Sequence, residues 1–236
     1  MLRSLLFCSL MLCILLGMGC RQDEPVPPGP PGDLVLMDID GNSYRTQLIG
    51  GRHWMAENLR TTRFANAESI AQVQDASAWV GLDQAAWAWA NDSSSLDTVF
   101  GKWYNHFAVS DPRGLCPTGW HVPTDVEWTA LANSLGGEEV AGAALKSTGT
   151  VDAGTGLWNP PNTGATNTSG FTGLPAGGRS PNDAGFYSMG NAAILWSSTI
   201  TAVDTASVRL LTHVGVAFEP RDLAVRYGLC VRCVRG

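Results

Sequence analysis

Four kinds of residue in this chain have the type and spacing that chemistry requires. Cys230-Val231-Arg232-Cys233 spells the C-x-x-C of dithiol redox chemistry. That chemistry needs a helix N-terminus to lower a thiol pKa. Here the motif falls in an alternating, strand-like run, so its two cysteines point to opposite faces and redox activity is not expected. The histidines His53, His106, His121 and His213 show no short ligand spacing of the H-x-x-x-H kind. His121, set between Trp120 and Val122, reads as a structural histidine. Asp38-Ile39-Asp40-Gly41-Asn42 superficially resembles a calcium loop, but it lacks the EF-hand spacing and the glutamate at the twelfth position, so a plain hairpin turn is expected. Glu57 has the composition of a catalytic carboxylate. Next to Asn58, it is expected instead to hold a loop through backbone hydrogen bonds. No G-x-S-x-G nucleophile elbow occurs. These residues imply no catalytic group, no metal site and no cofactor.

The fourth kind is aromatic. Trp79, Trp87 and Trp89 stand among Ala, Asp and Ser. Two readings are open: an exposed surface that stacks on sugars, or a satellite core beneath a long loop.

The elements that must position these residues are clearest at Leu115-Cys116-Pro117-Thr118-Gly119-Trp120-His121-Val122-Pro123-Thr124-Asp125-Val126-Glu127-Trp128. Pro123 forces a change of direction. Thr124 with Glu127 has capping-box spacing, and Asp125 adds negative charge where the helix dipole favours it. The helix predicted to follow buries Trp128, Leu131 and Leu135 and stops at Gly136-Gly137. A second helix is predicted over 138–147 with Val140, Ala144 and Leu145 inward. Strands are predicted at 34–39, 43–49, around Phe100 to Asn105, at 208–218 by alternation, and from Val225 to the end. A short helix is predicted around 83–89. Residues 148–190 are rich in Gly, Asn, Thr, Pro and Ser, and long regular elements are not expected there.

The chain has 236 residues, 44% of them hydrophobic, with 27 Gly and 13 Pro. That suits one domain plus a tail. Nine tryptophans against seven phenylalanines favour a core built on large rings. The net charge of −6 argues against a nucleic-acid partner, which needs clustered Lys and Arg. Arg3 followed by an apolar run over 5–16 reads as a signal peptide, too short to span a membrane. Gly17-Met18-Gly19-Cys20 resembles a lipobox with Gly17 in place of the usual leucine, which makes Cys20 the lipidation site and the membrane the first partner. Asp23 and Glu24 resemble an acidic surface-export tag. Residues 25–32 hold five prolines and read as an extended tether. The expected division is a signal peptide over 1–19, a lipidated tether over 20–32 and a domain over 33–236.

With Cys20 lipidated, three cysteines remain. Cys233 shares its strand face with Val225, Tyr227, Leu229 and Val231, and Cys230 shares the other with Arg226 and Arg232. A Cys116–Cys233 disulfide is therefore expected, compatible with an oxidising envelope compartment, and Cys230 is left unpaired.

The segments that carry a family resemblance are now in view: Asp38-x-Asp40-Gly41-Asn42-x-Tyr44, Trp54-Met55-x-x-Asn58-Leu59, Cys116-Pro117-x-Gly119-Trp120-His121-x-Pro123-Thr124-x-x-Glu127-Trp128, Ser169-Gly170-Phe171, Trp196-Ser197-Ser198-Thr199 and Val231-Arg232-Cys233-Val234. Together they resemble the FISUMP domain (Fibrobacter succinogenes major paralogous domain) of bacterial surface lipoproteins. The Pro-Thr-x-x-Glu-Trp part also resembles formylglycine-generating-enzyme-like domains, whose fold is related to C-type lectins. The resemblance implies an α+β, C-type-lectin-like domain with mixed or antiparallel sheets, two short helices and long irregular loops. It implies a lipoprotein of the outer membrane, on the cell surface of a Gram-negative bacterium, that binds a glycan or protein or mediates adhesion without catalysis. The alternatives are a structural component of an envelope assembly and an enzyme of the formylglycine-generating type, for which no matching cysteine pair is seen. Neither Ser180-Pro181-Asn182-Asp183 nor Trp89-Ala90-Asn91-Asp92 matches the calcium-lectin motifs, so calcium-dependent sugar binding is not implied. Cys20→Ser is expected to abolish incorporation of labelled fatty acid and to move the chain out of the membrane fraction; membrane partition unchanged by the substitution would overturn the anchor.

Overall fold

Residues 34–236 are described by the computed structural model, and the first of them build a hairpin around one carboxylate. β1 (Val35–Met37) pairs antiparallel with β2 (Ser43–Ile49), Leu36 opposite Tyr44. Asp38 Oδ1 accepts from the backbone N–H of Asp40 and Asn42 at 3.0 and 2.9 Å. Its Oδ2 accepts from Asn42 Nδ2 at 2.8 Å and from the Tyr44 hydroxyl at 2.6 Å. The aspartate is thus the centre of a turn, as expected, with Gly41 at φ +83° completing it. The Tyr44 oxygen accepts in turn from the Arg60 N–H at 2.8 Å, which docks the next segment onto the hairpin. β3 (Arg52–Met55) follows Gly50-Gly51 and pairs antiparallel with β2.

The stretch around the three tryptophans forms a small sheet. β4 (Ala71–Gln72) runs parallel to β5 (Ala86–Trp89), and β5 pairs antiparallel with β6 (Lys102–Tyr104). Single-turn helices α1 (Ala76–Trp79), α2 (Asp97–Phe100) and α3 (His106–Val109) surround it. The helix expected over 83–89 is therefore a strand. Its Ala-Trp-Ala-Trp pattern has period two, and each face finds apolar partners: Trp87 joins the main core, while Ala86 and Ala88 pack with Trp79.

β7 (Trp120–His121) leads into α4 (Asp125–Ser134), whose capping box is formed in full. Thr124 Oγ1 accepts from the Glu127 N–H, and Glu127 Oε2 accepts from the Thr124 N–H at 2.9 Å. Trp128 and Leu131 are buried, and Leu135 is half-buried. α5 (Glu138–Leu145) ends two residues before the expected boundary, and Val140 is exposed rather than inward. The buried face is Ala141, Gly142 and Leu145 because Gly142 lies against the chain at 216–217: an added Cβ would stand 2.5 Å from the Ala217 carbonyl oxygen.

As expected, the 148–190 region is mostly irregular, holding only β8 (Gly178–Arg179) and β9 (Phe186–Tyr187). β10 (Ala192–Ala202), β11 (Thr205–Thr212) and β12 (Glu219–Ala224) then form an antiparallel sheet. The strand expected over 208–218 stops at Thr212. The Lys146 ammonium donates to the carbonyls of Thr163, Thr212 and Gly215 at 2.9, 3.0 and 2.7 Å and holds 212–215 as a turn. β13 (Val234–Arg235) slots between β3 and β7, giving the order β1-β2-β3-β13-β7.

Two hydrophobic clusters flank the chain's last segment. Leu229, Val231 and Cys233 enter one, and Cys230 and Val234 enter the other. The alternation expected of this segment holds, but the strand expected from Val225 onward is regular only at Val234–Arg235, because 225–226 form a turn; on the arginine face Arg226 is half-buried and Arg232 fully buried. Seven of the nine tryptophans are buried, and Trp54 and Trp128 meet at 4.8 Å between ring centroids. The described residues are thus a small α+β domain with few, short helices, and none of those helices is long and apolar enough to cross a membrane.

The disulfide joins Cys116 to Cys233 across 117 residues, and Cys230 is free and buried. Replacing both bonded cysteines by alanine is expected to lower stability by about 4–5 kcal/mol through loss of loop closure, read as a shift of the urea midpoint. A midpoint unmoved by the double substitution would contradict that account.

Candidate functional site

The β10-β11-β12 sheet has two unlike faces. One packs on the helices: Ala193, Leu195 and Leu211 enter the core there. On the same face Arg209 is fully buried, with Nε donating to Asp125 at 3.0 Å, Nη2 to Thr129 at 2.6 Å and Nη1 to Glu138. This guanidinium fixes the sheet to both α4 and α5.

The opposite face is only partly covered. Ala192, Ile194 and Val208 are buried, but Leu210 and Leu223 are half-buried and form the floor of a cleft of about 470 Å³ with Tyr187 at its side. The cleft stays open because β12 is a short edge strand, Glu-Pro-Arg-Asp-Leu-Ala, that brings one large apolar side chain and otherwise charge and proline, as edge strands commonly do. Arg221 lies on this rim and pairs with Glu219.

The end wall is the turn after Thr212. Besides the Lys146 clamp, the His213 N–H donates to Asn191 O at 2.9 Å, His213 Nδ1 lies 2.9 Å from Pro160 O, and His213 O accepts from the Thr163 N–H at 2.8 Å. Burial lowers the Lys146 pKa to about 8. The side wall is Tyr187, stacked edge-on with Tyr227 at 5.6 Å. Its hydroxyl is buried and has no hydrogen-bond partner among the described residues. Burial raises its pKa, so the phenol stays neutral. Gly178 lies beneath the ring, where a Cβ would come 2.7 Å from the phenol oxygen and 2.6 Å from a Leu229 methyl. The arrangement can seat an aliphatic group on the floor with polar contacts at His213, Asn191 and Arg221. Among the described residues no group of three His, Cys, Asp or Glu side chains is placed to hold a metal.

The tryptophans singled out in the sequence do not form an exposed platform. Trp79 and Trp87 are buried and Trp89 is half-buried. Their settings explain this: Trp79 Nε1 donates to Arg226 O and Trp87 Nε1 to Ile70 O, each at 3.1 Å, while the Arg179 guanidinium sits 4.9 Å from the Trp79 ring. With its N–H satisfied, each indole contributes its whole area to packing. Trp79 belongs to a satellite cluster as one reading expected, while Trp87 and Trp89 pack in the main core. Cys116 and Cys233 meet as expected, and Cys20 lies outside the described residues. Glu57 pairs with Arg45 and Arg60, and His121 hydrogen-bonds Glu127. Asn58 donates to Phe100 O at 2.8 Å, holding its loop. The cleft residues Tyr187, Leu210 and Leu223 were not anticipated. The alternation of β11 showed two faces, but which face would stay uncovered depends on β12.

The family model described as the Fibrobacter succinogenes major domain (Fib_succ_major) matches residues 48–235. The chain belongs to this family. The Fib_succ_major match runs from the end of β2 into β13, so it takes in the cleft, the disulfide and most of both clusters, while β1, the Asp38 turn and the cluster members Leu36 and Tyr44 precede it. No curated protein and no solved structure matches the chain.

Tyr187→Phe removes an unpartnered hydroxyl. Thermal unfolding is expected to show stability unchanged or raised by about 1 kcal/mol, since no hydrogen bond is lost. A clear loss of stability would mean that the phenol has a partner.

Proposed function

We propose that this domain is a non-catalytic binding module, carried on the outer membrane by a lipidated Cys20, and that the cleft on the β10-β11-β12 sheet seats an apolar side chain of a protein ligand. The single observation behind this reading is the concave aliphatic floor, half-buried Leu210 and Leu223 backed by buried Ile194 and Val208, beside a charged rim. A concave, mostly apolar site with a few polar groups at its edge is the usual form of a binding pocket.

A non-catalytic role is supported by how the reactive side chains are used. Formylglycine-generating chemistry relies on a pair of cysteines. Of the cysteines in the described residues, two are tied in the disulfide, and Cys230 is buried with its pKa pushed up to about 12. His106 is also buried, which lowers its pKa, and its Nε2 lies 3.0 Å from Ser197 O. The lectin-like architecture implied by the family resemblance is part of this proposal. Its support is the irregular 148–190 region beside two short helices.

One observation favours the second reading, a component of an envelope assembly. β1 is an edge strand with Val35 and Met37 76% and 62% exposed, a template for strand addition.

The two readings separate by photo-crosslinking on intact cells, with benzoyl-phenylalanine placed at Val214, at Met37 or, as a control, at Val151. The cleft reading predicts one discrete protein adduct from position 214 that disappears when Leu210→Asp is added. An adduct from position 37 alone would favour the assembly reading and overturn the cleft.

A further inference from the structure

Beside α3, which contributes Phe107, a second depression of about 570 Å³ has a different chemistry, and it lies within the roughly 300–1,000 Å³ common for ligand sites. Its apolar part is the half-buried Phe107, with Ile70 and Phe64 buried beneath it. Its polar part includes Asp83 and Gln84, both exposed, whose side chains have no hydrogen-bond partner among the described residues. The backbone that carries them is fixed on both sides. Arg226 Nε donates to Leu82 O at 2.9 Å, and Asn105 Nδ2 donates to Gln84 O at 2.7 Å. Asn105 is itself fully buried, its Oδ1 accepting from the N–H groups of Ala86 and Ala108.

The facing wall is just as rigid. Arg113 donates to both oxygens of Asp111 at 2.8 and 2.7 Å and to Glu68 at 2.7 Å, and its guanidinium lies 4.0 Å from the Phe64 ring centroid. Two planar groups with unused hydrogen-bonding capacity, on a pinned backbone in the same depression as the half-buried Phe107 ring, suit a ligand with adjacent hydroxyls and an apolar ring face. That is a saccharide. A carboxylate or carboxamide can bridge two neighbouring hydroxyls, and a phenyl face packs against sugar C–H groups. The charge selects further: of the lining residues Asp83 and Asp111 stand against Arg113, which Asp111 already pairs, so Asp83 is left to disfavour anionic ligands.

We propose that this depression is a binding site for a neutral saccharide, independent of any bound cation and separate from the cleft. It shares no residue with the cleft, so either site can fail without the other.

The test uses the full-length chain in detergent on an array of neutral and acidic glycans, with calcium and with chelator, followed by titration of the best glycan. The expected result is a neutral glycan bound equally under both conditions and weakened about tenfold or more by Asp83→Ala and by Gln84→Ala, as loss of a bridging hydrogen-bond pair implies. Leu210→Asp should leave that affinity unchanged. Both alanine variants alter exposed side chains, so folding is not at risk, and unfolding curves would confirm it. No glycan bound at millimolar concentration would overturn the proposal, as would hits confined to acidic glycans, calcium dependence, or affinity indifferent to both alanine variants. None of these results bears on the protein-binding cleft.

Discussion

Arg232 is the interaction on which the rest of this structure depends. It lies fully buried at the seam between the two hydrophobic clusters, and no carboxylate hydrogen-bonds it among the described residues. Acceptors from distant segments surround it instead: Asn58 Oδ1 at 2.8 Å, Thr172 O at 2.7 Å, and the carbonyls of Met55 and Phe171. Burial brings its pKa down to about 9. A guanidinium tolerates such a site because it spreads its charge over a planar fork of donors. The Phe171 ring, 4.3 Å away, adds attraction from one face. One side chain therefore joins the end of β3, the Asn58 loop, the long irregular region and the final strand. Losing its head would leave several buried acceptors without a donor at once, a situation that costs more than the bonds themselves contribute.

Arg209 and Lys146 repeat the device elsewhere. Arg209 fastens the β10-β11-β12 sheet to α4 and α5, and Lys146 gathers three carbonyls at the cleft's end wall. A domain with this much irregular chain cannot satisfy its backbone through ladders alone. Buried Lys146 and Arg232, each beside the end of a regular element, supply missing donors to such carbonyls.

This division explains how much was legible in the sequence. The capping box at Thr124 and Glu127, the Asp38 turn and the Cys116–Cys233 pairing all follow from local spacing or strand parity, and all are present. What depended on distant partners was not legible. Val140 faces out because Gly142 has to lie against the 216–217 backbone. The alternation after Thr212 does not make a strand, because Lys146 bends it. The period-two pattern at 86–89 was mistaken for helix because its cover comes from both sides of the chain: Trp79 precedes it, and Ala184 follows from far along the sequence. The burial of Arg232 was not legible, since a single sequence does not show that carbonyls 60 and 177 residues away will receive it. The cleft escaped notice for the same reason: an uncovered face is defined by what fails to pack on it.

The arrangement of β1 and β13 has a mechanical consequence. β1 is held by one neighbour at the sheet's edge, while β13 is held by two in its interior, and the covalent loop begins only at Cys116. Tension entering at Leu34 therefore reaches the least supported strand first. That hairpin can peel as a sacrificial segment, lengthening the molecule and dissipating work, while the disulfide-closed remainder keeps its shape.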